Sequence, residues 1–137
     1  MMDEQKLNAM IKAFSEDNVE NYCICAAYDY ISKWTQTNKF DDVREAAEHI
    51  TIALRLDGFT AIQPDKERTE LLVNTQGIGL TVGHYICSAF ELLNVLGNKS
   101  GSNYATTLVQ IDGYLQEAVQ LWDSNIIKVD TIKQSLC

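Results

Sequence analysis

Glu45, Glu48 and His49 form one group of side chains whose types could bind a metal ion. Di-iron helix bundles use Glu-x-x-His pairs that point inward and recur on a second pair of helices. Here Glu45 and His49 are four residues apart, and the sequence holds no second pair of this kind. A metal ion also needs three or four converging ligands. We therefore predict no metal site and expect this group to lie on a solvated helix face.

His84, Cys87, Ser88 and Glu91 form a second group, spaced so that they share one face of a helix. A cysteine nucleophile with a histidine base needs mutual hydrogen-bond reach and a third group that orients the base. Residues three apart on one helix can approach each other, but free cysteines are most often buried as packing. The preferred interpretation is a core histidine beside a buried thiol, with no catalytic residue. A small helical enzyme that uses His84 and Cys87 is the minor alternative.

Two short motifs resemble cofactor sites without matching them. Gly77, Gly79 and Gly83 approximate a dinucleotide-binding loop, but the third glycine is displaced by one residue and no sheet is expected around it. A seam of small residues between packed helices is the simpler interpretation. Cys23 and Cys25 have one residue between them, so on a helix their side chains point about 200° apart. We predict no cofactor, and reduced thiols throughout.

The elements that carry these residues are predicted to be helices, because apolar residues recur with a helical period. Five segments show this period: 3–14, 19–34, 43–54, 64–96 and 104–122. The fourth has Pro64 in its first turn and should break near residues 77–79, as one kinked helix or two. A turn at 123–125 should precede a short final helix. We predict an all-α, compact bundle of five or six helices, with the second and fourth segments most buried.

The composition limits the classes of function. The chain has 137 residues, of which 46% are hydrophobic and 22% charged, values typical of one globular domain spanning residues 1–137. Its formal net charge is −8, and its basic residues are scattered singly. Nucleic-acid binding needs clustered cations, so we expect neither nucleic acid nor an anionic membrane as a partner. No basic region leads into an apolar stretch at the N-terminus, which favours a soluble cytoplasmic protein.

The acidic surface and the aromatic residues of the second helix suggest a protein partner. The preferred hypothesis is a non-catalytic interaction module that binds a basic protein, for instance a cytosolic inhibitor of the immunity or antitoxin type. The predicted partner-binding residues are Tyr28 as an aromatic anchor and four exposed acids: Asp29, Asp112, Glu117 and Asp123. The alternative is a homo-oligomeric structural or regulatory bundle that buries Ile24, Tyr28 and Ile31 between copies, since the second helix is apolar on nearly all sides.

Overall fold

The computed structural model describes residues 4–60, 65–97 and 101–136, with side chains described up to residue 124. This part of the chain forms six helices and confirms the predicted all-α bundle. The helices are α1 (Glu4–Phe14), α2 (Glu16–Thr37), α3 (Phe40–Leu56), α4 (Lys66–Gln76), α5 (Ile78–Val95) and α6 (Tyr104–Leu136). Pro64, predicted in the first turn of the fourth helix, lies outside the described residues.

Local chemistry sets several helix boundaries. The Asp65 carboxylate caps α4 by accepting the backbone N–H groups of Glu67 and Arg68, at 3.0 Å and 3.2 Å. Gly77 separates α4 from α5 and has φ = 91°, a conformation that favours glycine. The predicted break near residues 77–79 is therefore confirmed, and it divides the segment into two helices.

The predicted turn at residues 123–125 is wrong. Helix α6 continues through these residues to Leu136. Aspartate, serine and asparagine are only modestly unfavourable inside a helix, and neither glycine nor proline occurs among the three. Local propensity therefore does not require a break at this stretch.

Two clusters of buried apolar residues form the core. The larger is built from α2, α3, α5 and α6, and the smaller joins Leu7 of α1 to Cys23 of α2 and Ala53 of α3. Ile24 packs against both clusters, which explains why α2 is apolar on so many sides. The prediction that the second and fourth segments are most buried is wrong, because α3 lies between α2 and α6 and buries eight of its 17 residues.

Helices α4 and α5 are the less covered part of the bundle. Thr69 is the single buried residue of α4. Helix α5 is long and apolar enough to cross a bilayer by length and composition, and a third of its residues are buried. A methyl group added at Gly79 or Gly83 would meet no atom within 4 Å. The predicted seam of closely packed small residues is therefore wrong, since no other helix of the described part of the chain comes this close to the two glycines.

Candidate functional site

The two histidines occupy environments opposite to those predicted. His49, expected on a solvated face, is 6% exposed because tyrosines of α2 lie over it. Its ring centroid is 6.3 Å from that of Tyr22 and 5.5 Å from that of Tyr30. Its Nδ1 hydrogen-bonds the backbone carbonyl of Glu45 at 2.7 Å. In the described residues, no group of three or more metal-ligating side chains could hold a metal ion.

His84 and Cys87, predicted to be core packing, are both exposed. The buried stripe of α5 is Thr81, Val82, Tyr85, Ile86, Ala89 and Leu93. His84 and Cys87 lie on the other side of the helix, and no hydrogen bond joins them. The thiol that does lie in the core is Cys23, where burial and then the nearby Glu20 raise the pKa to about 11. That thiol stays protonated at neutral pH, which makes it a poor nucleophile.

The predicted acidic surface is only partly at the surface. Asp29 is exposed, but Asp112 is 1% exposed and Glu117 is 8% exposed. The predicted exposure of these two residues is wrong because α6 packs against both α3 and α5, so two of its sides are covered. The Asp123 carboxylate accepts a hydrogen bond from each of the two terminal nitrogens of the Arg44 guanidinium. This ion pair lowers the pKa of Asp123 and raises that of Arg44.

Asp112 belongs to a polar network between α6 and α3. Its carboxylate accepts a hydrogen bond from the Thr51 hydroxyl at 2.9 Å. The Gln116 side-chain amide, one turn further along α6, donates to Thr51 Oγ1 at 2.9 Å. Burial raises the pKa of Asp112, and the hydrogen bonds from Thr51 and Gln116 partly oppose that rise.

Glu20 is a second buried carboxylate, and the sequence analysis did not single it out. It is 1% exposed and accepts a hydrogen bond from the Tyr104 hydroxyl at 2.7 Å, which links α2 to the start of α6. Burial, followed by this hydrogen bond, raises the pKa of Tyr104 well above its usual range, so the phenol remains a donor. The available signal was the position of Glu20, which directly follows Val19 on the apolar side of α2.

The outer side of α2 carries a group of residues that we call the tyrosine face: Tyr22, Ala26, Asp29, Tyr30 and Lys33. They recur at helical spacing and line a shallow hollow of about 420 Å³. The Lys33 ammonium lies 5.9 Å from the centroid of the Tyr30 ring, as in a cation–π contact. Burial and then the Glu45 carboxylate raise the pKa of Tyr30, so this ring stays neutral.

The structure thus brings together only some of the predicted partner-binding residues. Tyr28 and Asp29 are exposed neighbours on α2, and the Tyr28 ring stacks on Phe90 of α5 at 5.0 Å. Asp123 lies on α6 in its ion pair, and Asp112 and Glu117 are covered. No protein-family model, curated protein or solved structure matches the chain.

Proposed function

We propose that this protein is a non-catalytic interaction module that binds a basic protein through the tyrosine face. The proposal rests on one observation: the Lys33 ammonium lies over the Tyr30 ring, beside the exposed Asp29 carboxylate. The exposed Asp29 carboxylate can pair with a lysine or arginine of a partner, and the Lys33–Tyr30 contact is an example of a ring of this face attracting a cation. One concrete form of this function is an inhibitor of the immunity or antitoxin type, which occludes a basic enzyme.

The residue types support the same proposal. The Tyr22 side chain is 51% exposed, although so large an aromatic side chain is usually more buried. Tyrosine offers a large contact area at low cost in conformational entropy and is enriched among residues that dominate binding energy. The net charge of −8 would speed encounter with a positively charged partner. Asp112 and Glu117 take no part in this face, because both carboxylates are buried.

The test is affinity capture from the cells that produce the protein, at low and moderate salt. The immobilised baits are the wild type, Tyr22→Ala, Asp29→Asn and two controls of matching chemistry that lie elsewhere, Phe14→Ala and Glu91→Gln. We expect a basic protein that the wild type and both controls retain. With the purified partner, Tyr22→Ala should raise Kd about tenfold or more. Asp29→Asn should slow association and flatten its salt dependence.

The proposal fails if every retained protein binds the two face variants as well as it binds the wild type. It also fails if the controls lose the partner to the same extent, because the effect would then be general. Circular dichroism of all four variants checks that each remains folded.

A second candidate function is a homo-oligomer, favoured by the exposed apolar side chains of α5. Leu80 is 67% exposed and Val95 is 73% exposed on a helix with only a third of its residues buried. The surface predicted for this alternative is wrong in one respect, since Ile31 is fully buried within the chain. Sedimentation velocity of the variants Leu80→Asp and Tyr22→Ala distinguishes the two candidate functions. A homo-oligomer that assembles through α5 should dissociate in Leu80→Asp and stay assembled in Tyr22→Ala.

A further inference from the structure

A cleft of about 460 Å³ opens between α1, α3 and α6, away from the tyrosine face. Its volume lies within the range of small-molecule sites, roughly 300–1,000 Å³. One wall is a single stripe of α3 that includes Glu48, Thr51, Ile52 and Arg55. Leu7 of α1 and Val119 of α6 add apolar walls, and Gln116 adds a polar group. Apolar walls with a few polar groups are the usual composition of a ligand site.

Hydrogen bonds hold the polar groups of this cleft in place. The Gln116 amide donates to Thr51 Oγ1, and Thr51 is itself bonded to the buried Asp112. These contacts use the amide N–H groups of Gln116 and leave its carbonyl oxygen without a partner among the described residues. A polar group held by such a network can orient a ligand, because its own rotamer is already fixed.

The charges in the cleft indicate which ligand fits. The Arg44 guanidinium is held by Asp123, whereas that of Arg55 forms no ion pair with a described residue. A guanidinium binds a carboxylate through two parallel hydrogen bonds. Glu4 and Glu48 also line the cleft, and Arg55 is its one cation without a described ion pair, so a second negative charge on the ligand would meet carboxylates and no cation. A ligand with a single carboxylate and an apolar body satisfies both conditions.

We propose that this cleft binds a small organic acid with one carboxylate and an apolar body. The carboxylate pairs with Arg55, and the body packs against Leu7, Ile52 and Val119. This site is independent of the tyrosine face, so either proposal can fail without affecting the other.

The experiment titrates 3-phenylpropanoate and its neutral analogue 3-phenylpropanamide into the full chain, with amide NMR spectra as the readout. We expect saturable shifts at Thr51 and Gln116 with the acid, and about tenfold weaker binding of the amide. Arg55→Gln should weaken binding of the acid about tenfold and remove its advantage over the amide. Arg68→Gln, which removes an exposed cation of α4, should leave Kd within about twofold of the wild-type value.

Several results would overturn the proposal. One is the absence of saturable shifts at Thr51 and Gln116 up to about 20 mM acid, well beyond the millimolar Kd expected of so small a ligand. Another is equal binding of the acid and the amide. A third is an unchanged Kd in Arg55→Gln, or an equal loss in Arg68→Gln, because the acid would then respond only to general charge.

Discussion

Glu20 and Asp112 are equally buried, at 1% exposure each, but the bundle accommodates the two carboxylates differently. Glu20 reaches from α2 to the Tyr104 hydroxyl at the start of α6. Asp112 lies about two turns into α6, where Thr51 of α3 and the Gln116 amide of its own helix act on its carboxylate. Thr51 Oγ1 also lies 3.0 Å from the backbone carbonyl oxygen of Ala47, so its single proton is shared between this oxygen and Asp112.

The difference shows how a carboxylate can be tolerated inside a helical core. At Glu20 the hydrogen bond from α6 comes from a buried phenol that is 84 residues distant in the chain, and a phenylalanine in its place could donate nothing. At Asp112 the Thr51 hydroxyl and the Gln116 amide lie side by side, so the amide can donate to the carboxylate when the hydroxyl is removed. A buried group is most costly when its hydrogen-bonding partner is removed without replacement. The Glu20 region should therefore be the more sensitive of the two to a single substitution.

The largest effect is expected for Tyr104→Phe. This change removes the donor to Glu20 and should lower the free energy of unfolding by about 2 kcal/mol, the scale of a hydrogen bond to a carboxylate. Tyr114→Phe is the matched control, because Tyr114 also lies on α6 and its hydroxyl has no hydrogen bond among the described residues. Urea unfolding at neutral pH measures both. Equal losses in the two variants would mean that the Glu20 contact contributes nothing specific.

A smaller effect is expected for Thr51→Val, about 1 kcal/mol, because the Gln116 amide loses Thr51 as an acceptor but can then donate to the Asp112 carboxylate. The matched control is Thr75→Val. Thr75 donates to the carbonyl four residues earlier, as Thr51 does, but contacts no carboxylate. If Thr51→Val costs more than Tyr104→Phe, the network does not buffer Asp112 and the contrast between the two regions is reversed.

The helices were predictable from the sequence because their positions follow from local periodicity. The apolar period located five segments, and the fourth divides into α4 and α5 at Gly77, whose positive φ favours glycine. The short final helix predicted after residue 125 is instead the continuation of α6. What local patterns did not supply was the side of a helix that a neighbour covers. From the sequence of α6 alone, Asp112 is predicted to be a surface acid. In the structure, α3 covers it and Thr51 donates a hydrogen bond to its carboxylate.

The histidines show the same limit at the candidate sites. His49 sits among acids in the sequence, yet Tyr22 and Tyr30 cover it from another helix. His84 sits among apolar residues, yet its side of α5 faces away from the core. The tyrosine face includes Asp29, which the acidic composition had indicated as a partner-binding residue. It also includes the contact between Lys33 and Tyr30, which becomes visible only once the helix is built.

The pH dependence of stability gives a third test, through Asp112→Asn. Burial raises the pKa of Asp112 in the folded state, so the folded chain binds more protons than the unfolded chain between the two pKa values. The contribution of Asp112 to stability is therefore greatest below its unfolded pKa and is lost as pH rises through its folded pKa. Relative to Asp112→Asn, the wild type should lose stability as pH rises from about 4, the ordinary pKa of an aspartate, through the raised folded pKa. Asp29→Asn, an exposed control, should run parallel to the wild type.

The smallest effect is expected at the half-exposed carboxylate of Asp123, and its pH dependence should have the opposite sign. The Arg44–Asp123 pair has side-chain exposures of 37% and 45%, so solvent screens it and Asp123→Asn should cost only about 0.5 kcal/mol. The pair lowers the pKa of Asp123, so its contribution is present at neutral pH and is lost as pH falls through the folded pKa. A double-mutant cycle with Arg44→Gln isolates the pairwise energy, and about 1 M NaCl should reduce it further. A coupling as large as the loss in Tyr104→Phe would show that depth of burial does not rank these three carboxylates.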